Sequence, residues 1–278
     1  MAALFQWDTS RSLVMGVLNV TPDSFSDCGK FTDVGRAVEH ARKMADAGAD
    51  IIDIGGESTR PGSQPVSEEE ELRRVVPLIE RLPGLLISID TTKAIVAEQA
   101  LAAGARIVND ISALRFDGRM VEVVREHGAG VVLMHMQGTP TTMQQAPRYD
   151  NVVREVCEFL AERIAFAVDR GVKKTQIAVD PGIGFGKTVE HNIQLLAQLE
   201  QLSALGCPIV VGASRKSFIG KLLAPLGADR DREPRERLPG SLAVAAWAVA
   251  QGANVLRVHD VAETVDVIRM VEVLKHAR

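Results

Sequence analysis

The sequence predicts a single α/β domain spanning residues 1–278, folded as a (β/α)8 TIM barrel. Three observations predict it. Eight short apolar runs, rich in Val and Ile, alternate with segments whose apolar residues recur at three- and four-residue spacing; these are the patterns of doubly buried parallel strands and of helices with one buried face. Several helical segments end in Gly just before the next run, in AGAD (47–50), AGAR (103–106), HGAG (127–130) and QGAN (251–254), where glycine readily takes the left-handed cap. Each apolar run stops at a polar side chain: Asn19, Asp53, Asp90, Asn109, His135, Asp180, Ser214, and Arg257 with His259. In a barrel of parallel strands those ends converge on one mouth, where active sites sit. A doubly wound open sheet is the competing arrangement.

The first strand is expected at Val14–Leu18, followed by a long connection from Thr21 to about Asp33 and a helix over Val34–Ala47. Ile51–Ile54 forms the second strand, with another long connection from Thr59 to about Ser67 before the helix Glu68–Leu82. Long loops bearing Gly, Pro and Ser in a compact domain are usually lids or binding loops. Leu85–Ile89, the helix Ala94–Ala103, Ile107–Val108, Gly130–Met134, the helix Val152–Asp169, Gln176–Val179 and Pro208–Val211 continue the alternation. The charged run Asp231–Gly240 reads as a solvated turn before a helix starting at Ser241. Its apolar stretch Leu242–Ala250 must be buried, either under the barrel or across a subunit interface, and Asn254–Val258 is the last strand.

Of the 278 residues, 46% are hydrophobic and 24% charged, enough to build a core without disulfides or metal. A net charge of -4 argues against nucleic acid or an anionic membrane as partner. The three cysteines, Cys28, Cys157 and Cys207, show no CxxC pairing, unlike a zinc site or a disulfide framework. The first residues lack a basic stretch followed by an apolar one, so a cytoplasmic location is expected. No apolar segment approaches the roughly 20 residues that span a bilayer.

Asp90, Asn109 and Asp180 sit at strand ends, where a buried carboxylate needs a partner. Either each caps the following helix, or together they meet a ligand rich in N–H donors. Lys216, Arg257 and His259 gather cations at the last two strand ends, an anion site in outline; Arg60 either adds a fourth from a loop or is a surface charge. Residues 182–188, GIGFGKT, fail the phosphate-loop pattern because Pro181 stands where its first Gly is required, and Lys187 breaks GxGxxG. Glycines there instead permit close backbone approach to a flat ligand. His135 and Asp53 receive no role. The absence of HExxH and GxSxG leaves zinc proteolysis and serine-esterase chemistry without support.

At these residues the chain resembles the dihydropteroate synthase family. The matching segments are MGVLNVTPDSFSD from Met15, IDIGGESTRPG from Ile52, SIDTTK from Ser88, VNDIS from Val108, LMHMQG from Leu133, DPGIGFGKT from Asp180, VGASRKSFIG from Val211 and RVHDV from Arg257. The resemblance implies condensation of 6-hydroxymethyl-7,8-dihydropterin pyrophosphate with 4-aminobenzoate, giving 7,8-dihydropteroate and pyrophosphate. Asp90, Asn109 and Asp180 would bind the donor edge of the pterin. Lys216 would reach its carbonyl and ring nitrogen, and Arg257 would stack on the ring. Asn19, Thr59, Arg60 and His259 would hold the pyrophosphate, with Asn19 also reaching Mg2+. Phe185, Pro61, Thr59 and Ser217 would frame the aminobenzoate pocket, completed by closure of the two long loops. The resemblance further implies a homodimer and inhibition by sulfonamides. Single segments also suit pterin-dependent methyltransferases, or a non-catalytic pterin-binding protein; SRKSFIG and the terminal RxH favour the synthase.

Overall fold

In the computed structural model the description covers residues 4–20, 30–58, 64–225 and 230–277, with backbone only at 30–33 and 276. Eight parallel strands, β1 (Leu13–Asn19), β2 (Ile51–Gly55), β3 (Ile87–Asp90), β4 (Ile107–Asp110), β5 (Gly130–Met134), β6 (Ile177–Asp180), β7 (Val210–Val211) and β8 (Val255–Val258), form one sheet. Its order, β6-β5-β4-β3-β2-β1-β8-β7, curls round until Val179 bridges Ile209, which brings β6 to β7 and nearly closes a barrel. This is the expected (β/α)8 TIM barrel rather than an open sheet.

Nine α-helices cover the outside: α1 (Lys30–Asp46), α2 (Glu68–Ile79), α3 (Ala94–Ala103), α4 (Met120–His127), α5 (Val152–Asp169), α6 (Val189–Ala197), α7 (Ser217–Leu223), α8 (Leu238–Ala250) and α9 (Val261–His276), counted among the described residues. The glycines expected past helix ends, Gly48, Gly104, Gly128 and Gly252, all have positive φ. Ser67 starts α2 by accepting the Glu70 N–H at 3.2 Å. Thr188, the last residue of GIGFGKT, is likewise a helix cap, its hydroxyl accepting from the His191 N–H at 3.2 Å.

Most elements lie within a few residues of the sequence reading; the start of α8 and the extent of β7 differ most in consequence. The helix expected from Ser241 starts at Leu238, and a short 3-10 turn over Pro234–Arg237 precedes it. Proline near a helix start is favoured because its missing N–H has no partner there anyway, which is how Pro239 fits. The charged run is also more anchored than a solvated turn, since Arg237 donates to the carbonyls of Arg232 at 2.6 Å and Arg215 at 2.8 Å. The seventh strand is shorter than expected, Val210–Val211, with Ile209 bridging Val179 on one side and hydrogen-bonded to Asn254 and Val255 on the other.

Strand register stacks the barrel interior in layers. Leu13, Met15, Ile51, Ile107, Val132, Ala178, Val210 and Val255 form one buried apolar cluster with Trp7. Each of its Val, Leu, Ile and Met side chains contributes roughly 1.5–3 kcal/mol on burial. The N-terminal segment closes the floor beneath it: Trp7 Nε1 donates to Gln176 O at 2.8 Å, and Phe5 lies where a Cβ on Gly130 would come within 2.5 Å of its ring. Because side chains alternate along a strand, the next inward positions are Asp53, Ser88 and Asp90, Asn109, Asp180 and Arg257. A polar layer therefore rests directly on an apolar one, facing the carboxyl ends of the strands.

Candidate active site

Arg257 organises the centre of that layer. From β8 its Nε donates to Asp53 Oδ2 at 2.6 Å and its Nη2 to Asp90 Oδ2 at 2.6 Å. Asn109 Nδ2 reaches the same Asp53 Oδ2 at 3.1 Å. Asp53 is completely buried, and both its second oxygen and the neighbouring Ser88 hydroxyl lack a hydrogen-bond partner among the described residues. The helix-capping alternative for Asp90 fails, because α3 is preceded by Lys93 without a side-chain cap while Asp90 turns inward to Arg257.

The carboxyl end of β6 supplies the second half. Asp180 Oδ1 accepts the Gly182 N–H at 2.6 Å, which curls the glycine-rich loop back over the strand end. Gly182 has φ +67° and no room for a side chain, since a Cβ there would lie 1.9 Å from the His135 carbonyl oxygen. Lys216 donates to the carbonyl of Ile183, and its ammonium stands 4.5 Å from the centroid of the Phe185 ring. Gly212 lies between Asp180 and Arg257: a Cβ there would be 3.9 Å from Asp180 Oδ2 and 3.7 Å from Arg257. Asp90, Asn109, Asp180, Lys216 and Arg257 thus share one mouth.

Around the rim, Asn19 ends β1 with its Oδ1 toward Gly55, where a Cβ would meet it at 3.6 Å and Asp90 Oδ2 at 3.7 Å. His259 contacts Ser214, Nδ1 to Oγ, at 3.1 Å. Ser217 is the first residue of α7 and is exposed, and Phe185, whose ring meets the adjacent Lys216, is half-buried. Lys216 and Ser217 are presented by Arg215, a non-glycine residue at φ +58°. Such a conformation is strained, and Asp260 holds it through Arg215 Nε at 2.9 Å while Ser241 Oγ accepts its N–H at 2.9 Å.

Burial sets the electrostatics. Desolvation pushes the Asp90 carboxyl up to about 7 despite Arg257, with Asp53 adding repulsion. Asp180 is also raised by burial, opposed by Lys216. Desolvation draws Lys216 down to about 8 against the attraction of Asp180. Burial acts against the Arg257 guanidinium, yet Asp53 and Asp90 hold it firmly protonated. His135 is driven down to about 2 by burial and by Lys187, and is neutral. The site therefore offers acceptors that tolerate a proton, opposite a cation that does not lose one.

Three expected site residues, Thr59, Arg60 and Pro61, lie outside the described residues, as does most of the first long loop. The second loop leaves the barrel at Glu57, which Lys93 ties down together with the buried Glu71, 2.5 Å from Lys93 Nζ. Sequence reasoning missed Asp53 as the acceptor shared by Arg257 and Asn109. It also missed Lys187, buried with Nζ 3.0 Å from both His135 Nδ1 and the Phe185 carbonyl. A carboxylate inside an otherwise apolar strand, IIDIG, was the available signal for the first. Among the described residues no cluster of three His, Cys, Asp or Glu could hold a metal ion.

The sequence matches the pterin binding enzyme family over residues 15–259. It is similar to the dihydropteroate synthase of Escherichia coli (strain K12), with 49% identity over 274 residues, covering 98% of this chain and 94% of that protein. The fold is similar to that of Yersinia pestis dihydropteroate synthase in a sulfonamide drug complex, with a TM-score of 0.89 and 46% identity, covering 98% of this chain and 97% of that one. It is also similar to Xanthomonas albilineans dihydropteroate synthase in complex with 7,8-dihydropteroate, with a TM-score of 0.85 and 45% identity over 97% of this chain and 95% of that one.

Proposed function

The chain belongs to the pterin-binding enzyme family, and from that premise we propose that it is a transferase of folate synthesis joining 6-hydroxymethyl-7,8-dihydropterin pyrophosphate to 4-aminobenzoate. The observation that carries this is the shared polar layer: Asp90, Asn109 and Asp180 face the same interior as Arg257 and Lys216. A pterin has a donor-rich pyrimidine edge, which suits the carboxylates, and a carbonyl, which suits Lys216. Pterin-dependent methyl transfer needs no anion-holding cations, whereas Lys216, Arg257 and His259 gather at the last strand ends.

The chemistry follows from these groups. Pyrophosphate leaves with the electron pair of its bond to the methylene carbon, and the cations stabilise the charge it gathers. The methylene carbon left behind shares positive charge with the pterin ring, next to the Asp180 carboxylate. The amine of 4-aminobenzoate forms the new C–N bond and then loses a proton, giving 7,8-dihydropteroate. No protein nucleophile takes part. Phe185 and Ser217 frame the aminobenzoate, with Thr59 and Pro61 on the second loop, and Arg60, Asn19 and His259 take the pyrophosphate.

Magnesium fits this donor set only in part. Asn19 offers one neutral oxygen beside Asp90, and a hard cation that keeps its waters and binds phosphate oxygens suits such a sparse site. When bound, it would supply charge neutralisation on the pyrophosphate. The outer face of α8 and α9 leaves Trp247, Met270, Val273 and Leu274 at least half exposed. A second copy of the chain covers this apolar face, making a homodimer. No helix of the described residues is long and apolar enough to cross a membrane, in keeping with a cytoplasmic enzyme acting on small molecules.

The test is an assay of the purified chain with both substrates, following pyrophosphate release and 7,8-dihydropteroate formation. Release that depends on 4-aminobenzoate, and is blocked by a sulfonamide, is the expected result. Pterin binding without release would instead identify a non-catalytic member of the family.

A further inference from the structure

Four successive carbonyls of the glycine-rich loop after β6 each accept a hydrogen bond from a different side chain. Ile183 O takes Lys216 Nζ, Gly184 O takes Gln144 Nε2 at 2.7 Å, Phe185 O takes Lys187 Nζ at 3.0 Å, and Gly186 O takes the Tyr149 hydroxyl at 2.8 Å. Lys187 differs from the others because it belongs to the loop it braces and is itself 3% exposed. Its second partner is His135 Nδ1 at 3.0 Å, at the end of the neighbouring strand. Burial draws the Lys187 ammonium down to about 7 against the attraction of Asp180; in its charged form it only donates, so that ring nitrogen accepts and the imidazole proton sits on Nε2.

Burying an amino group costs free energy that a surface lysine avoids. The return here is positional. The loop lies directly on the backbone after β5: a Cβ on Gly186 would approach Gln137 O to 2.7 Å. His135 is itself fixed, edge-on to Phe159 at 4.8 Å between ring centroids. Lys187 therefore joins a rigid strand end to the carbonyl of the residue whose ring stands beside Lys216.

We propose that Lys187 is a positioning residue for the second substrate, holding Phe185, and with it the aminobenzoate subsite, in place through the Phe185 carbonyl and His135 Nδ1. This rests on the proposed synthase activity. Lys187 is assigned no contact with either substrate; the pterin is held by Asp90, Asn109 and Asp180, none of which hydrogen-bonds to Lys187, although Asp180 feels its charge through space.

The experiment is steady-state kinetics with both substrates on the full chain, comparing wild type with Lys187→Met, His135→Phe, His135→Asn and the Lys187→Met/His135→Phe double variant. Lys187→Met should raise KM for 4-aminobenzoate about tenfold, the loss expected of one hydrogen bond from a charged donor, with KM for the pterin pyrophosphate within about twofold of wild type. His135→Phe keeps the ring against Phe159 and removes the acceptor, so it should reproduce that loss, and the double variant should add nothing to it. His135→Asn restores an acceptor near the position of Nδ1 and should recover most of the lost affinity. Equal losses for both substrates, an unaffected His135→Phe, or no recovery in His135→Asn each overturns the proposal. If Lys187→Met does not fold, the two His135 variants decide alone. A wild type that forms no 7,8-dihydropteroate overturns the assigned activity instead, a result distinguishable from any of these.

Discussion

Asp90→Asn should make the protein more stable at alkaline pH while abolishing pterin binding. Asp90 is 7% exposed, and burial, reinforced by Asp53, pushes its carboxyl from the ordinary 3.8 up to about 7. That displacement corresponds to about 4 kcal/mol of preference for the neutral acid. Below pH 3.8 the folded and unfolded chains both carry the proton and there is no penalty. Between 3.8 and about 7 the unfolded chain releases it first, so native stability falls as pH rises; above 7 the whole penalty applies. Asparagine never ionises and escapes it, but gives up the charged partner of Arg257 Nη2 and orders a buried amide. A net gain of roughly 1–3 kcal/mol at pH 8.5 remains, or on the order of 5 °C in Tm. Thermal unfolding of both proteins at pH 5.0, 6.0, 7.0 and 8.5 would measure the gap, with Asp180 and Asp110 common to both chains. The gap should widen with pH. A gap of the same size at pH 5.0 and 8.5, or a variant less stable at pH 8.5, would refute the reasoning.

Asp180→Ala or Lys216→Ala should remove most activity while folding persists, a loss of about 100-fold or more in kcat/KM by steady-state assay, with circular dichroism unchanged. Arg257→Ala should weaken binding of the pyrophosphate-bearing substrate more than that of 4-aminobenzoate in separate titrations; it should also cost about 3–5 kcal/mol of stability, because Asp53 and Asp90 lose their shared buried cation. Trp247→Glu and Leu274→Glu should convert a dimer to monomers in sedimentation, with the fold retained, since both side chains are at least half exposed.

The strand ends carried most of the legible information. Asp90, Asn109, Asp180 and Arg257 could be placed at one mouth because each terminates an apolar run, and the barrel register does the rest. Asp53 could be placed at the same mouth but not given a role, because its partner Arg257 is 204 residues away in sequence. Only three-dimensional closure brings β8 beside β1 and so within reach of β2. Lys187 was hidden by its motif. GIGFGKT suggests a phosphate loop, and with that pattern broken, nothing in the spacing shows a lysine folded back onto its own loop and onto His135. The start of α8 was misplaced because a charged run looks solvated, whereas Arg237 spends its charge on backbone carbonyls.

The closed floor of the barrel has a consequence for the order of events. With Phe5 and Trp7 packed beneath the apolar layer, the described residues close the barrel interior at that end. Asp90, Asn109 and Asp180 lie at the bottom of the polar part, each no more than 7% exposed, while Phe185 and Ser217 stand at the rim. A molecule at the rim bars the way to one below, so on the proposed assignment of the two subsites the pterin enters first and aminobenzoate is seated above it. An excess of any rim occupant then slows exchange of the pterin, and a rim-directed inhibitor imprisons the deeper ligand instead of displacing it.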